Sequence, residues 1–202
     1  MTPGGILMAS YIDLAPFPPS FSPNALISDH FRPFLDFSDF FDVDFEAHAK
    51  TIYDTPSWPK DPLFYASFPS KTDAEAAPKG QEAGIFLIPL APGIEDTPQL
   101  RQEYFEIIMK RFELLTNQEV IKNVIFSESF CINDFIADYN SYKGNAYGLA
   151  NTLLQTAFLR PKLKSKKIKN LYFTGQLTVP GPGVPPSLIS GKLVAGLIEK
   201  NI

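Results

Sequence analysis

The chain has 202 residues, 45% of them apolar, and a formal net charge of −4 from 22 acidic and 18 basic side chains. A compact chain of this size buries roughly 70% of its unfolded surface, so a sizeable core is available. High apolar content with balanced charge excludes disorder as the default state. The negative balance gives no general pull toward nucleic acid, and the single cysteine excludes an internal disulfide.

In chain order, the first forty residues are unusual. Phe17, Phe21, Phe31, Phe34, Phe37 and Phe40 alternate with Pro3, Pro16, Pro18, Pro19, Pro23 and Pro33. Proline at this density blocks a long helix and a central strand, while so many phenylalanines require a surface to pack on. Residues 1–38 are therefore expected to form an atypical, poorly ordered segment. No basic n-region opens the chain, the first basic residue being Arg32. No apolar run reaches the ~18 residues that span a bilayer. The expected location is the cytoplasm, with contact at most peripheral on the inner face of the membrane.

Beyond residue 38 the pattern is regular. Asp44 caps a short helix running to about Tyr53, which Pro56, Pro59 and Pro62 terminate. "PLFYASFP" and "GIFLIPLA" read as strands joined by the polar arm "SKTDAEAAPKGQEA". Pro89 inside the second strand suggests an edge position or a bulge. "TPQLRQEYFEIIMKRFELLT" is the strongest helix, with Thr97 at the N-cap and Pro98 at N1, where its missing N–H costs nothing. Leu100, Tyr104, Ile107, Ile108, Phe112 and Leu115 make its apolar stripe. "VIKNVIFSESF" follows as a strand, and strands with a packed helix make an α+β layer. Cys131 is expected to be a small buried apolar residue rather than a nucleophile. His30 and His48 are assigned packing or surface roles, and no spacing of His, Cys or acidic residues suggests a metal.

The segment "RPKLKSKKIK", 160–169, concentrates six positive residues. It reads as a solvated loop before a strand, or as a contact for an anionic lipid surface at ~1 kcal/mol per basic residue. "KNLYFTG" is then a strand ending at Gly175, followed by a Gly/Pro-rich loop and a helix from Ser187 to Ile198 with Leu188, Leu193, Val194 and Leu197 available for packing. A strand, a glycine-bearing loop and a helix N-terminus suit anionic or electron-rich groups. "GPGVPPS" is not the dinucleotide fingerprint, because Pro186 stands where the third glycine belongs and two prolines remove donors. On pattern alone, an ordinary connection and a binding site are equally supported.

The segment "NLYFTGQLTVPGPGVPPSLISGKLVAGLI" resembles the C-terminal flavin-binding motif of the bacterial phytoene (carotenoid) desaturases, which are amine-oxidase-like FAD flavoproteins. "YNSYKGNAYGLANTLLQTAFLRP" resembles their G-x-A-[FY]-G-L…Q…RP segment, and "FFDVDFEAHAKTIYDTPSWPKDPLFYASFPSKTD" the start of their substrate domain. The three matches keep the family's order. The resemblance implies FAD-dependent desaturation of phytoene or a related long apolar polyene, by hydride transfer to the flavin. It also implies that Gly175 and Gln176 lie by the pyrophosphate or ribityl chain and that Gly183 and Val184 offer backbone to the flavin ring. No catalytic residue is assigned.

On this reading the fold is α+β and forms the C-terminal part of a two-domain FAD oxidoreductase. Residues 39–160 would be the substrate-binding region, and residues 161–202 the strand-loop-helix that closes the FAD domain. The family's N-terminal Rossmann unit with G-x-G-x-x-G is not present in the sequence. The chain is thus expected to be a C-terminal fragment, severed by a frameshift or truncated gene, with residues 1–38 as shifted-frame or eroded sequence. Alone it should bind FAD weakly, stay inactive and aggregate through faces that pack on the missing half. The alternatives are one subunit of a split desaturase with a Rossmann-bearing partner chain, and a non-catalytic apolar-ligand or membrane-binding module.

Overall fold

The computed structural model describes residues 6–14, 44–150, 153–156 and 159–200. They form a mixed α/β arrangement: β1 (Ile6–Leu14), α1 (Phe45–Tyr53), β2 (Tyr65–Ser67), β3 (Glu82–Leu90), α2 (Pro98–Thr116), β4 (Val124–Phe130), α3 (Ile132–Tyr139) and α4 (Val184–Glu199). The strands make one sheet in the order β2-β3-β1-β4.

β1 pairs antiparallel with β3, Tyr11 opposite Ile85, and with β4, Tyr11 opposite Glu128. This corrects the reading that proline blocks a central strand throughout the chain start. The prolines there block a strand only where they stand, and Ile6–Leu14 is the proline-free stretch between Pro3 and Pro16. The phenylalanines at 17–40 and His30 lie outside the described residues.

β3 alternates, so Phe86, Ile88 and Leu90 point to one face and are fully buried. Against them packs α2, capped at Thr97, whose side chain accepts from Leu100 N–H at 3.2 Å. The buried face of α2 is Tyr104, Phe105, Ile108, Met109 and Phe112. It is rotated from the expected stripe: Phe105 and Met109 enter the core, and Leu115 is exposed. The sheet takes the wider face because two neighbouring columns of a helix, not one, fill a flat strand surface. Phe86 meets Phe112 edge-on at 5.1 Å and Phe68 at 5.8 Å. Burying each such ring is worth about 1.5–3 kcal/mol.

Pro89 sits at the end of an inner strand, not on an edge strand. β2 pairs only with Ile85–Leu87, so the outer side of Pro89 has no strand neighbour. Its carbonyl is used by His48, which is buried on α1: Nε2 lies 2.8 Å from Pro89 O, and Nδ1 accepts Leu63 N–H at 2.9 Å. Acceptance at Nδ1 places the ring proton on Nε2, which therefore donates to Pro89. Proline carbonyls serve twice more, since Tyr104 Oη donates to Pro59 O at 2.6 Å and Arg111 to Pro62 O at 3.1 Å. The proline-rich strap after α1 is thus tied down by the one polar group that proline keeps. Burial, with the charges of Glu103 and Asp61, pushes the Tyr104 hydroxyl up to about 12.

A polar clamp joins the start of α2 to the β4–α3 junction. Arg101 donates to both oxygens of Asp96 at 2.7 and 2.6 Å, to Ser129 O at 3.0 Å, and pairs with Asp134 at 2.7 Å. Asp96 also accepts Asn133 N–H at 2.8 Å. Burial raises the Asp96 carboxyl, but the hydrogen bonds from Arg101 and Asn133 and the guanidinium charge outweigh it and hold it below the usual carboxylate range. Cys131, at the N-cap of α3, is fully buried, and burial pushes its thiol up to about 12, as expected of a packing residue. Among the described residues no helix is long and apolar enough to cross a membrane.

Candidate functional site

Two loops far apart in sequence close on one cleft. The first follows α3, which ends at Asn140 in the left-handed conformation (φ 49°). Asn145 then organises the turn: its Nδ2 donates to Tyr142 O at 2.7 Å, its Oδ1 accepts Gly148 N–H at 2.6 Å, and its carbonyl accepts from Ser141 Oγ. The second loop runs from Thr174 to Gly183. Leu177 lies against Gly148, whose φ of +78° favours glycine and where a Cβ would come within 2.7 Å of Leu177 Cδ2 and displace that side chain. The cleft between them has a volume of about 520 Å³ and is lined by Phe135, Tyr139, Tyr142, Asn145, Gln176 and Leu177, among others. Phe135, Tyr139 and Phe130 form one aromatic cluster, with Phe130 edge-on to Phe135 at 4.8 Å.

The tail loop is held from two sides. Arg160, 3% exposed, donates to Gln176 O at 3.2 Å, and its guanidinium lies beside Gly181. On the other side Ser190 of α4, fully buried, accepts Gly175 N–H at 2.9 Å and contacts the hydroxyls of Thr174 and Thr178 at 2.8 and 3.0 Å. Gly175 has φ +100°, and a Cβ there would meet nothing within 4 Å. Its outer face is open.

Of the residues picked out in sequence, Gln176 lines the cleft and Gly175 stands directly behind it. Gly183 is the N-cap of α4 and Val184 its first residue, 74% exposed; neither is among the described residues lining the cleft. The helix starts three residues before the expected Ser187, because Pro185 and Pro186 in the first turn surrender N–H groups that have no intrahelical partner anyway. "KNLYFTG" is not a full strand. It makes one antiparallel bridge, Lys164 with Tyr172, through Ser165 N–H to Leu171 O and Phe173 N–H to Leu163 O. A strand persists only with a ladder along it, and the described partner segment is too short to supply one. Arg160, counted in sequence with the basic loop, is a buried structural residue, and the exposed charge there is lysine.

Comparison with known proteins finds relatives over most of the chain. The chain is 42% identical over 160 residues to a carotenoid 3,4-desaturase of Haloarcula japonica, covering 79% of the chain and 32% of that relative. It is 32% identical over 166 residues to a 4,4'-diapophytoene desaturase of Staphylococcus haemolyticus, covering 79% of the chain and 33% of the relative. The chain belongs to the carotenoid desaturase family. A 4,4'-diapophytoene desaturase of Staphylococcus aureus adds a third match, 35% identical over 170 residues. The chain spans about a third of the length of the curated relatives it matches. No protein-family model matches it.

Sequence reasoning missed Ser190 and the two threonines that meet it. Its residue type carried no signal, since the same helix holds a second serine, Ser187, three positions earlier. Only the fold shows that the hydroxyl turns inward.

Proposed function

We propose that this chain is the C-terminal part of an FAD-dependent desaturase acting on a long apolar polyene. Residues 39–160 form its substrate-binding region and residues 161–202 the segment that closes the FAD domain. The observation that carries the reading is the closure of the 139–148 loop and the tail loop on one cleft containing Gln176, in a chain whose relatives are carotenoid desaturases.

The residues present suit the ring end of a flavin. Gly175 offers bare backbone with open space in front of it, and Gly183 and Val184 expose the start of α4. Gln176 can both donate and accept. FAD, when bound, supplies acceptance of the hydride removed from the hydrocarbon. The chain's own part is to exclude water and orient the substrate, for which the Phe135–Tyr139 wall suits a polyene at ~0.8 kcal/mol per buried CH₂.

The apolar residues of α4 support a further element of the proposal. Leu188, Ile189 and Leu193 are exposed, which suits packing on a nucleotide-binding unit supplied by another part of the same polypeptide or by a second chain. The test is expression in a bacterium that accumulates phytoene, with the chain alone and with the nucleotide-binding part of a relative supplied in trans. Pigment extracts should show new conjugated double bonds only in the second case. Absence of conversion in both, with both proteins soluble, refutes the proposal.

A further inference from the structure

Ser190 is the one buried residue of α4, and its hydroxyl sits in one consistent set of hydrogen bonds. Thr178 Oγ1 lies 2.9 Å from Gly175 O, which can only accept and also receives Thr178 N–H at 3.1 Å. With the Thr178 proton on Gly175 O, Ser190 donates at its 3.0 Å contact with Thr178, and Thr174 donates to Ser190 at 2.8 Å. The second lone pair of Ser190 Oγ accepts Gly175 N–H at 2.9 Å. The result is a closed ring: Ser190 to Thr178, Thr178 to Gly175 O, and Gly175 N–H back to Ser190, with Thr174 feeding in. Every donor in it is used, and both backbone groups of Gly175 are fixed.

Gly175 immediately precedes Gln176, whose carbonyl is held from the opposite side by Arg160 at 3.2 Å. The backbone that places Gln176 in the cleft lining is thus held at both ends, by one hydroxyl on α4 and one guanidinium ahead of the tail. We propose that Ser190 is a positioning residue. Through Gly175 it sets the direction in which Gln176 faces the cleft, so the seating of α4 and the shape of the cleft are one event. The functional weight of this rests on the reading of the cleft as the flavin-side site; the positioning itself does not.

The ring is geometrically specific. Ser190→Ala removes one donor and two acceptor roles and leaves Gly175 N–H unpaired, while Ser190→Thr keeps the hydroxyl. Thr178→Val breaks the ring at another member without touching α4.

The experiment is amide exchange and side-chain NMR on the full 202-residue chain, with and without millimolar FMN. FMN is the probe because the chain's candidate residues address the ring end of the cofactor. Ser190→Ala, which takes away the acceptor of Gly175 N–H, should speed exchange at Gly175 by about ten-fold, the worth of one ordinary hydrogen bond, and Thr178→Val, which leaves that acceptor in place, should speed it by less. They should also shift the Gln176 side-chain amide signals, leaving β3 amides within about two-fold of wild type. Ser190→Thr should restore both. Unchanged exchange at Gly175, unmoved Gln176 signals, or equal acceleration in β3 overturns the proposal, the last by showing an effect on global stability alone. If FMN leaves the wild-type Gln176 signals unmoved, the flavin reading of the cleft falls, and Ser190 is still judged by the exchange data. If FMN moves them in wild type and equally in Ser190→Ala, the positioning role falls and the flavin reading stands.

Discussion

The sheet with α2 and the tail helix α4 are both rich in large apolar residues, and they meet opposite fates. In the first, Phe86, Ile88, Leu90 and the inner face of α2 lock together, none of them more than 9% exposed. In the second, Val184, Leu188, Ile189, Leu193 and Ile198 all face outward, and the residue drawn inward is a serine. The sheet side is held by the area it buries. The tail is held by directed polar contacts: the Ser190 ring, and Arg160 on Gln176. A region fixed by hydrogen bonds rather than by burial has its shape specified but its stability borrowed, and it responds to different substitutions.

The largest expected effect is on the sheet. Phe86→Ala should cost about 3–5 kcal/mol, because the ring is wholly enclosed by Phe64, Phe68 and Phe112 and its loss leaves a cavity. Urea unfolding followed by circular dichroism would measure it. A cost below about 1 kcal/mol would remove the distinction between the two regions.

Next comes the clamp. Asp96→Ala should cost about 1–3 kcal/mol, because Arg101 loses two acceptors and keeps only Asp134 and Ser129 O, and Asn133 N–H loses its partner. Because the folded Asp96 carboxyl is held below its ordinary value, its contribution is complete above the unfolded pKa of ~3.9 and is lost as pH falls through the lower folded value. Urea midpoints between pH 6 and pH 2.5 should therefore drop more for wild type than for Asp96→Asn, which has no carboxylate to protonate.

His48→Ala should cost about 1–3 kcal/mol, since it orphans Leu63 N–H and Pro89 O together. A calorimetric midpoint would record it. Gly148→Ala should cost about 1–2 kcal/mol, from φ +78° and the approach of Leu177, and should loosen the tail while β3 stays protected from exchange.

The smallest effect is on α4. Leu188→Glu and Leu193→Glu should change stability by less than about 0.5 kcal/mol and raise solubility in light-scattering measurements. If either unfolds the chain, α4 is buried in some assembly, and the comparison has to be redrawn.

Local signals in the sequence carried most of the fold. Thr97 with Pro98, and Asp44, announced helix starts because capping is a matter of neighbouring atoms. The alternation in "GIFLIPLA" announced β3 because side-chain direction has a period of two. What stayed illegible depended on distant chain. The face of α2 that is buried depends on the strand opposite, and β1 was hidden because it is a strand only by virtue of β3 and β4. At the site, Gly175 and Gln176 were legible through a motif, whereas Ser190 and Arg160 carry nothing in their own surroundings to reveal that both turn inward.

The register of β1 has a kinetic consequence. Tyr11 pairs with Ile85 on one side and with Glu128 on the other, so the sheet cannot be completed until the chain closes loops of roughly 70 and 120 residues. Closure entropy grows only slowly with length, so the cost to stability is modest. The cost in speed is larger, because non-local pairings of this kind place a domain among slow folders. On the ribosome, β1 emerges before β3 and β4 and must wait for both partners. During that wait β3 can pair with β2 and collect α2, while the slot between β3 and β4 stays open to any extended segment that reaches it.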